Sequence, residues 1–288
     1  MKKINLLILI LLGVFNVSYG QFDAKYVETY TTSIDHETYS VVKMSRQDYH
    51  VKVKYFASQL TQDKSVYDRY REWSKGRKII LYSSGTYHTH DFKPCGLCID
   101  NGTLINNSLR RDLGGLVIVQ ETGGMVATHL NDPNGINIEY KDGKKRNNLN
   151  ITNGLQQAEF IKWAKSEKAT VFQTNMFYWK NNMTVFQGGS KTEQERRFLA
   201  VAKIDGIVKH FIINLSGANT IYNATLKVIN FLKKQEDADE IIFLLNLDTG
   251  MQDVYQVKTS NGSIDSRKGF SGQLSIDKAV NLLVYYYE

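Results

Sequence analysis

The chain has 288 residues and a formal net charge of +7, two of the positive charges being Lys2 and Lys3 at its very start, so the remainder is only moderately basic. That balance is ordinary for solubility. The basic cluster Lys141-Asp142-Gly143-Lys144-Lys145-Arg146 has no aromatic residues interleaved, so it reads as a solvated turn and not as a nucleic-acid stripe; an anionic ligand such as a phosphate, a uronic acid or a wall polymer stays compatible with the charge.

Lys2 and Lys3 precede the apolar run Leu6 to Phe15 and then Ser18-Tyr19-Gly20, which are the charged, apolar and small-residue parts of an export signal. The run is about half of the roughly twenty residues that cross a bilayer. Cleavage is expected after Gly20, with no cysteine nearby to carry a lipid anchor. Residues 1–20 are then a signal peptide, and residues 21–288 form one exported domain, periplasmic or extracellular, with no transmembrane segment. The length is enough to bury one large core, and no linker interrupts it.

Next in chain order, Tyr39 to Met44 and Tyr49 to Tyr55 alternate apolar and polar residues, which predicts two antiparallel strands joined through Ser45 to Asp48. Ser65 to Ser74 places Val66, Tyr70 and Trp73 at helical spacing, with Gly76 as its stop. A buried strand follows at Lys78 to Tyr82, then one at Gly96 to Asp100 running into Asn101-Gly102, and another at Leu116 to Gln120. Asn131 to Asn150 is polar and turn-rich and reads as a surface loop. Asn153 is set to cap a helix with Ala158, Ile161 and Ala164 on one face, after which Ala169 to Gln173 resumes as a strand.

Asp205-Gly206, flanked by Phe198 to Ile204 and His210 to Leu215, is a hairpin signal. Asn219 or Thr220 caps a helix carrying Ile221, Thr225, Val228, Ile229 and Leu232 on one stripe. Ile241 to Leu247 is apolar but for Asn246, as a central strand covered on both faces would be. Val254 to Val257 alternates, and Ala279 to Tyr287 is either the start of a helix or a last strand. Strands outnumber helices and the helices fall between sheet segments, so the expected class is α+β, a single domain with a mixed, largely antiparallel sheet and a few covering helices.

Cys95 and Cys98, in Pro94-Cys95-Gly96-Leu97-Cys98, allow three readings. A redox pair wants a helix to begin after the first cysteine, but the following residues read as a strand. A metal site could draw on His88 and His90, although the intervals are cramped. The first-ranked reading is two small apolar residues, with oxidation to each other after export left open. Asp248, directly after the apolar strand and beside Gly250, is placed either to open a site or to cap a turn. Arg197, at the start of its strand, is either solvated or able to hold a phosphate through its fork.

Several of these segments, in order, resemble the phosphodiester glycosidase domain family, whose chemistry removes a sugar from a phosphodiester. Ser83-Ser84-Gly85-Thr86-Tyr87 is similar to the family's N-x-G-x-F turn, and Pro94-Cys95-Gly96-Leu97 through Asn101-Gly102 to its P-x-G-L turn and the strand after it. Val171-Phe172-Gln173-Thr174-Asn175-Met176 looks like the strand and Q-S-G-P-like turn, Arg197 through Asp205-Gly206 like the arginine-led strand, and Asn246-Leu247-Asp248-Thr249-Gly250-Met251-Gln252 like N-L-D-G-G-G-S. The similarity spans roughly Tyr39 to Val257. Ser83 stands in place of the usual asparagine, Thr174-Asn175 replaces the small pair, and Thr249 and Met251 narrow what would be a glycine nest for a phosphate.

Splitting a sugar from a phosphate develops oxocarbenium charge at the sugar carbon and negative charge on the leaving phosphate. The resemblance therefore implies Asp248 facing the sugar carbon and Arg197 on the phosphate as catalytic groups. Gly85, Tyr87, Gln173, Asn175 and Gly250 would contact the substrate, a carbohydrate or sugar-phosphate. No cofactor is identified and no metal site is assigned. Two functions follow: an exported hydrolase of a sugar-1-phosphodiester or related cell-surface glycan, favoured by Asp248 and Arg197, and a non-catalytic glycan- or partner-binding relative, favoured by the altered glycine nest.

Overall fold

A computed structural model describes residues 22–58, 64–250, 253–259, 264–268 and 279–288; the expected signal peptide, Met251 and Gln252 lie outside the described residues. In chain order the elements are β1 (Val27–Ile34), β2 (Glu37–Ser45), β3 (Val51–Ala57), α1 (Val66–Ser74), β4 (Lys78–Ser83), β5 (Cys98–Asp100), β6 (Thr103–Asn106), β7 (Gly114–Val119) and β8 (Met125–His129). There follow β9 (Ile136–Glu139), β10 (Lys145–Leu149), α2 (Gly154–Ser166), β11 (Thr170–Trp179), β12 (Asn182–Met183), β13 (Gln194–Ile204) and β14 (Ile207–Asn219). The last are α3 (Ile221–Lys234), β15 (Glu240–Leu247), β16 (Val254–Lys258), β17 (Ile264–Lys268) and β18 (Asn281–Tyr287). The class is α+β with mostly antiparallel sheets and a few helices, as the periodicities predict.

The larger sheet runs β1-β2-β14-β13-β15-β11-β5-β6, with β7, β8 and β12 attached through β11, and the smaller runs β17-β16-β4-β18-β3. Val42, Leu199, Val201 and Leu245 of the larger sheet pack on Val53, Tyr55, Leu81 and Leu283 of the smaller one. On the outer face of the same strands, Phe198, Ala200 and Phe211 meet Ala224, Val228 and Leu232 of α3. Because successive residues of a strand point to opposite faces, covering both faces requires the continuous apolar run seen in β15. Short local signals hold: Ser65 and Asp68 form a reciprocal cap on α1, Asn153 caps α2 and Thr220 caps α3.

Long-range packing corrects three local expectations and decides one open alternative. β2 and β3 do not pair with each other; β2 lies between β1 and β14, whereas β3 pairs with β18 in the other sheet. Ser45 to His50 thus carries the chain between sheets. The polar stretch Asn131 to Asn150 contains the hairpin β9–β10, which turns Ile136, Ile138 and Leu149 onto α2. α2 buries Phe160, Trp163 and Ala164 and leaves Ala158 exposed, since aromatic side chains gain more from burial than alanine does. Ala279 to Tyr287 resolves as a strand, β18, held between β4 and β3.

His210 on β14 is 2% exposed, and its Nδ1 lies 3.0 Å from the Tyr285 hydroxyl. Burial, aided by the charge of Arg46, holds its imidazole well below the usual 6.5. The unfolded chain therefore gains a proton that the folded one refuses, so stability is full above about pH 6.5 and is lost as the pH falls below it. Thermal melts should drop by about 2–4 °C between pH 6.5 and 5.5. His210→Gln should flatten that slope, and an unchanged slope would assign the acid sensitivity to other groups.

Candidate functional site

Two turns meet at one end of the strands, the one after β4 and the one after β15. The Asp248 N–H donates to the Gly85 carbonyl at 3.1 Å, which ties the two together. The N–H groups of Gly85 and Thr86 donate to Asn281 Oδ1 at 2.8 and 3.0 Å, and Asn281 Nδ2 returns a bond to the Thr86 carbonyl at 2.9 Å. A Cβ at position 85 would stand 2.7 Å from the Tyr55 ring and 2.9 Å from Asn281 Oδ1. Tyr55 is itself stacked on Phe172 at 4.1 Å and has no room to give way, so only glycine fits there.

Asp248 is 5% exposed, and its Oδ1 accepts from the Gly250 N–H at 2.8 Å. The carboxyl therefore caps the turn, one of the two roles the sequence left open. Burial is the main influence and raises it above the ordinary carboxylate range; the Gly250 N–H and His88 and Arg197 pull the other way, and Asp253 adds to the rise. Next to it, the Tyr87 hydroxyl accepts from Asn175 Nδ2 at 3.3 Å and from Asn246 Nδ2. Asn246 Oδ1 is buried and has no partner among the described residues, so it is an acceptor still lacking a donor.

β11 explains how Asn175 arrives. Its first part, through Asn175, pairs with β7, and from Met176 onward it pairs with β15. Asn175 sits at that changeover and also lines a cleft of about 440 Å³ together with Arg111, His129, Phe186, Ser190 and Tyr222. Gly85, Tyr87, Asn175, Asp248 and Gly250 are thereby brought to one place.

Two expected contact residues are engaged elsewhere. Gln173 is fully buried; its Oε1 accepts from the N–H groups of Leu97 and Arg110 at 2.7 and 2.9 Å, and its Nε2 donates to the Arg110 carbonyl at 2.9 Å. It staples two loops. Arg197, 1% exposed, donates from Nε to Asn214 Oδ1 at 2.6 Å, from Nη1 to Ser83 Oγ at 3.2 Å and to Asp253, and from Nη2 to Asp253 Oδ2 at 3.2 Å. Its guanidinium also lies 4.4 Å over the Tyr255 ring. The fork is closed on Asp253.

Asp253, Asn214 and Asn281 carry no local sequence signal, because their roles depend on partners far away in the chain, and Asn246 is marked only as the first residue of the N-L-D segment. Cys95 and Cys98 are free thiols, and Cys98 packs as a small apolar residue in the core between the sheets. Burial raises both thiols, the opposite of an activated redox cysteine. Among the described residues no three His, Cys, Asp or Glu side chains group as metal ligands, so His88, His90, Cys95 and Cys98 do not converge. No helix of the described residues is long and apolar enough to cross a membrane.

The fold is α+β and mostly antiparallel, with a buried carboxylate at the end of a central strand. No family model and no curated protein matches the sequence. Among solved structures, a hypothetical protein from Synechocystis matches with a TM-score of 0.50 at 9% identity, over 91% of this chain and 62% of that one. The catalytic domain of zebrafish N-acetylglucosamine-1-phosphodiester alpha-N-acetylglucosaminidase, auto-inhibited by its pro-peptide, gives a TM-score of 0.49 at 14% identity, over 91% of this chain and 82% of that one. At these identities the likeness is one of fold alone.

Proposed function

We propose that the protein is an exported hydrolase that releases a sugar from a sugar-1-phosphodiester or a related cell-surface glycan, with residues 21–288 as its catalytic domain. The observation that carries this reading is the convergence of Gly85, Tyr87, Asn175, Asp248 and Gly250, drawn from three separate segments of the resemblance, on one buried carboxylate. In the reaction the bond between the sugar carbon and the phosphate oxygen breaks, and the phosphate monoester leaves with the electron pair. Water then adds at the sugar carbon and gives up one proton, to the departed phosphate monoester or to solvent. The ionised Asp248 stabilises the positive charge that develops there, while Tyr87 and Asn175 hold sugar hydroxyls and Asn246 Oδ1 accepts from one of them.

A second reading, a glycan-binding relative without turnover, is favoured by one specific observation: Arg197 is closed on Asp253 and so offers its fork to no ligand. Purified protein is to be incubated with a panel of sugar-1-phosphodiesters, and free sugar measured. Release supports the hydrolase; binding of the same compounds without release supports the relative.

A further inference from the structure

The resemblance points to Arg197 for the phosphate, but the neighbouring arginine occupies a different electrostatic situation. Residues 196, 198 and 200 of β13 share one face of the strand, and Phe198 pairs directly with Asn246. Arg196 therefore lies on the face that carries Asn246 and its bond to Tyr87, whereas Arg197 points to the opposite face, onto Asp253 and Tyr255. Arg196 is 5% exposed. Its Nε donates to the Asn219 carbonyl at 3.3 Å and its Nη2 to the Thr192 carbonyl at 2.8 Å, while Nη1 makes no hydrogen bond among the described residues.

None of the ion pairs among the described residues includes Arg196. A desolvated cation without a counter-ion is costly, and guanidinium does not escape the cost by losing its proton. Burial lowers its pKa, and the Tyr87 phenol feels its charge. Arg196 is also linked to two features of the fold. Its carbonyl partners, Thr192 and Asn219, stand two residues from Ser190 and Ile221 of the cleft wall, and Tyr87 belongs to the Asp248 cluster. Among the described residues, Arg196 is a buried guanidinium on this face with no anion paired to it.

We propose that Arg196, and not Arg197, receives the anionic group of the ligand, a phosphate or similarly forked oxyanion, through the guanidinium edge that its two carbonyl partners leave open. This rests on the proposed sugar-phosphate site, and supplies the cation that the closing of Arg197 on Asp253 removes from it.

The test measures affinity by calorimetry for three probes: inorganic phosphate, glucose 1-phosphate and glucose. The parent is expected to bind glucose 1-phosphate more tightly than glucose, and Arg196→Gln to weaken glucose 1-phosphate and inorganic phosphate by about 10–100-fold with glucose unchanged. Arg196→Lys keeps the charge but cannot hold two carbonyls and an oxyanion together, and should bind glucose 1-phosphate at least about fivefold more weakly than the parent. It serves if the Gln variant does not fold. Parental affinity for glucose 1-phosphate in either folded variant, or no phosphate binding by the parent, overturns the proposal. Arg196-dependent phosphate binding without diester turnover would retain it and remove the hydrolase reading; turnover at the parental rate in Arg196→Gln would do the reverse.

Discussion

Asp248→Asn is expected to lower the rate of sugar release by about 10²–10⁴-fold while the protein stays folded and still binds sugar. Asparagine keeps the Oδ1 that accepts from the Gly250 N–H, so the turn survives the change; what is lost is the negative charge that the proposed reaction sets opposite the sugar carbon. Two further readings separate a working carboxylate from a structural one. Burial raises its pKa above 3.8, and a group that stabilises positive charge works ionised, so kcat/KM should rise with pH through that raised value and level off above it. The limb should be missing from the residual activity of the variant.

Stability carries the opposite sign. A carboxyl whose folded pKa is raised contributes most below the unfolded value and loses that contribution as the pH climbs through the folded value. At neutral pH, Asp248→Asn should therefore melt no lower than the parent. A clear fall in Tm together with unchanged turnover would make Asp248 a turn cap and nothing more.

Asp253→Asn should be the most destabilising single change considered, at about 3–5 kcal/mol, because it leaves the Arg197 guanidinium buried opposite a neutral amide. For a domain of this size that is a fall in Tm of roughly 10 °C, read by urea or thermal unfolding. Arg197→Met is expected to cost a similar amount, by stranding Asp253. The double variant Arg197→Met with Asp253→Leu should recover most of the loss, since an apolar pair of comparable volume removes both charges. Small single-variant effects on stability, with loss of phosphate binding in Arg197→Met, would instead return Arg197 to the substrate.

The elements legible from the sequence are those whose cause is local. Ser65 followed three residues later by Asp68, Asn153 and Thr220 before apolar helical stripes, and Asp205-Gly206 between alternating runs all specify their structures through neighbours a turn away. β15 was legible for a related reason: five apolar residues in a row, Ile241 to Leu245, leave no face for water, so the strand is central. Gly85, Tyr87, Asn175, Asp248 and Gly250 could be selected from ordered motifs, but their meeting could not be seen until the turns after β4 and β15 were joined.

Tertiary structure alone decided which strands pair and which charges meet. β2 and β3 alternate in the same way, yet they belong to different sheets, because alternation says which side chains are buried and not what they are buried against. Arg196 and Arg197 are adjacent and chemically identical, but strand alternation sends one to Asp253, 56 residues away, and the other to the face of Tyr87 and Asn246. Only the fold sets the distance from a buried charge to its counter-charge, and that distance makes Arg197 a closed ion pair and leaves Arg196 open to an anion.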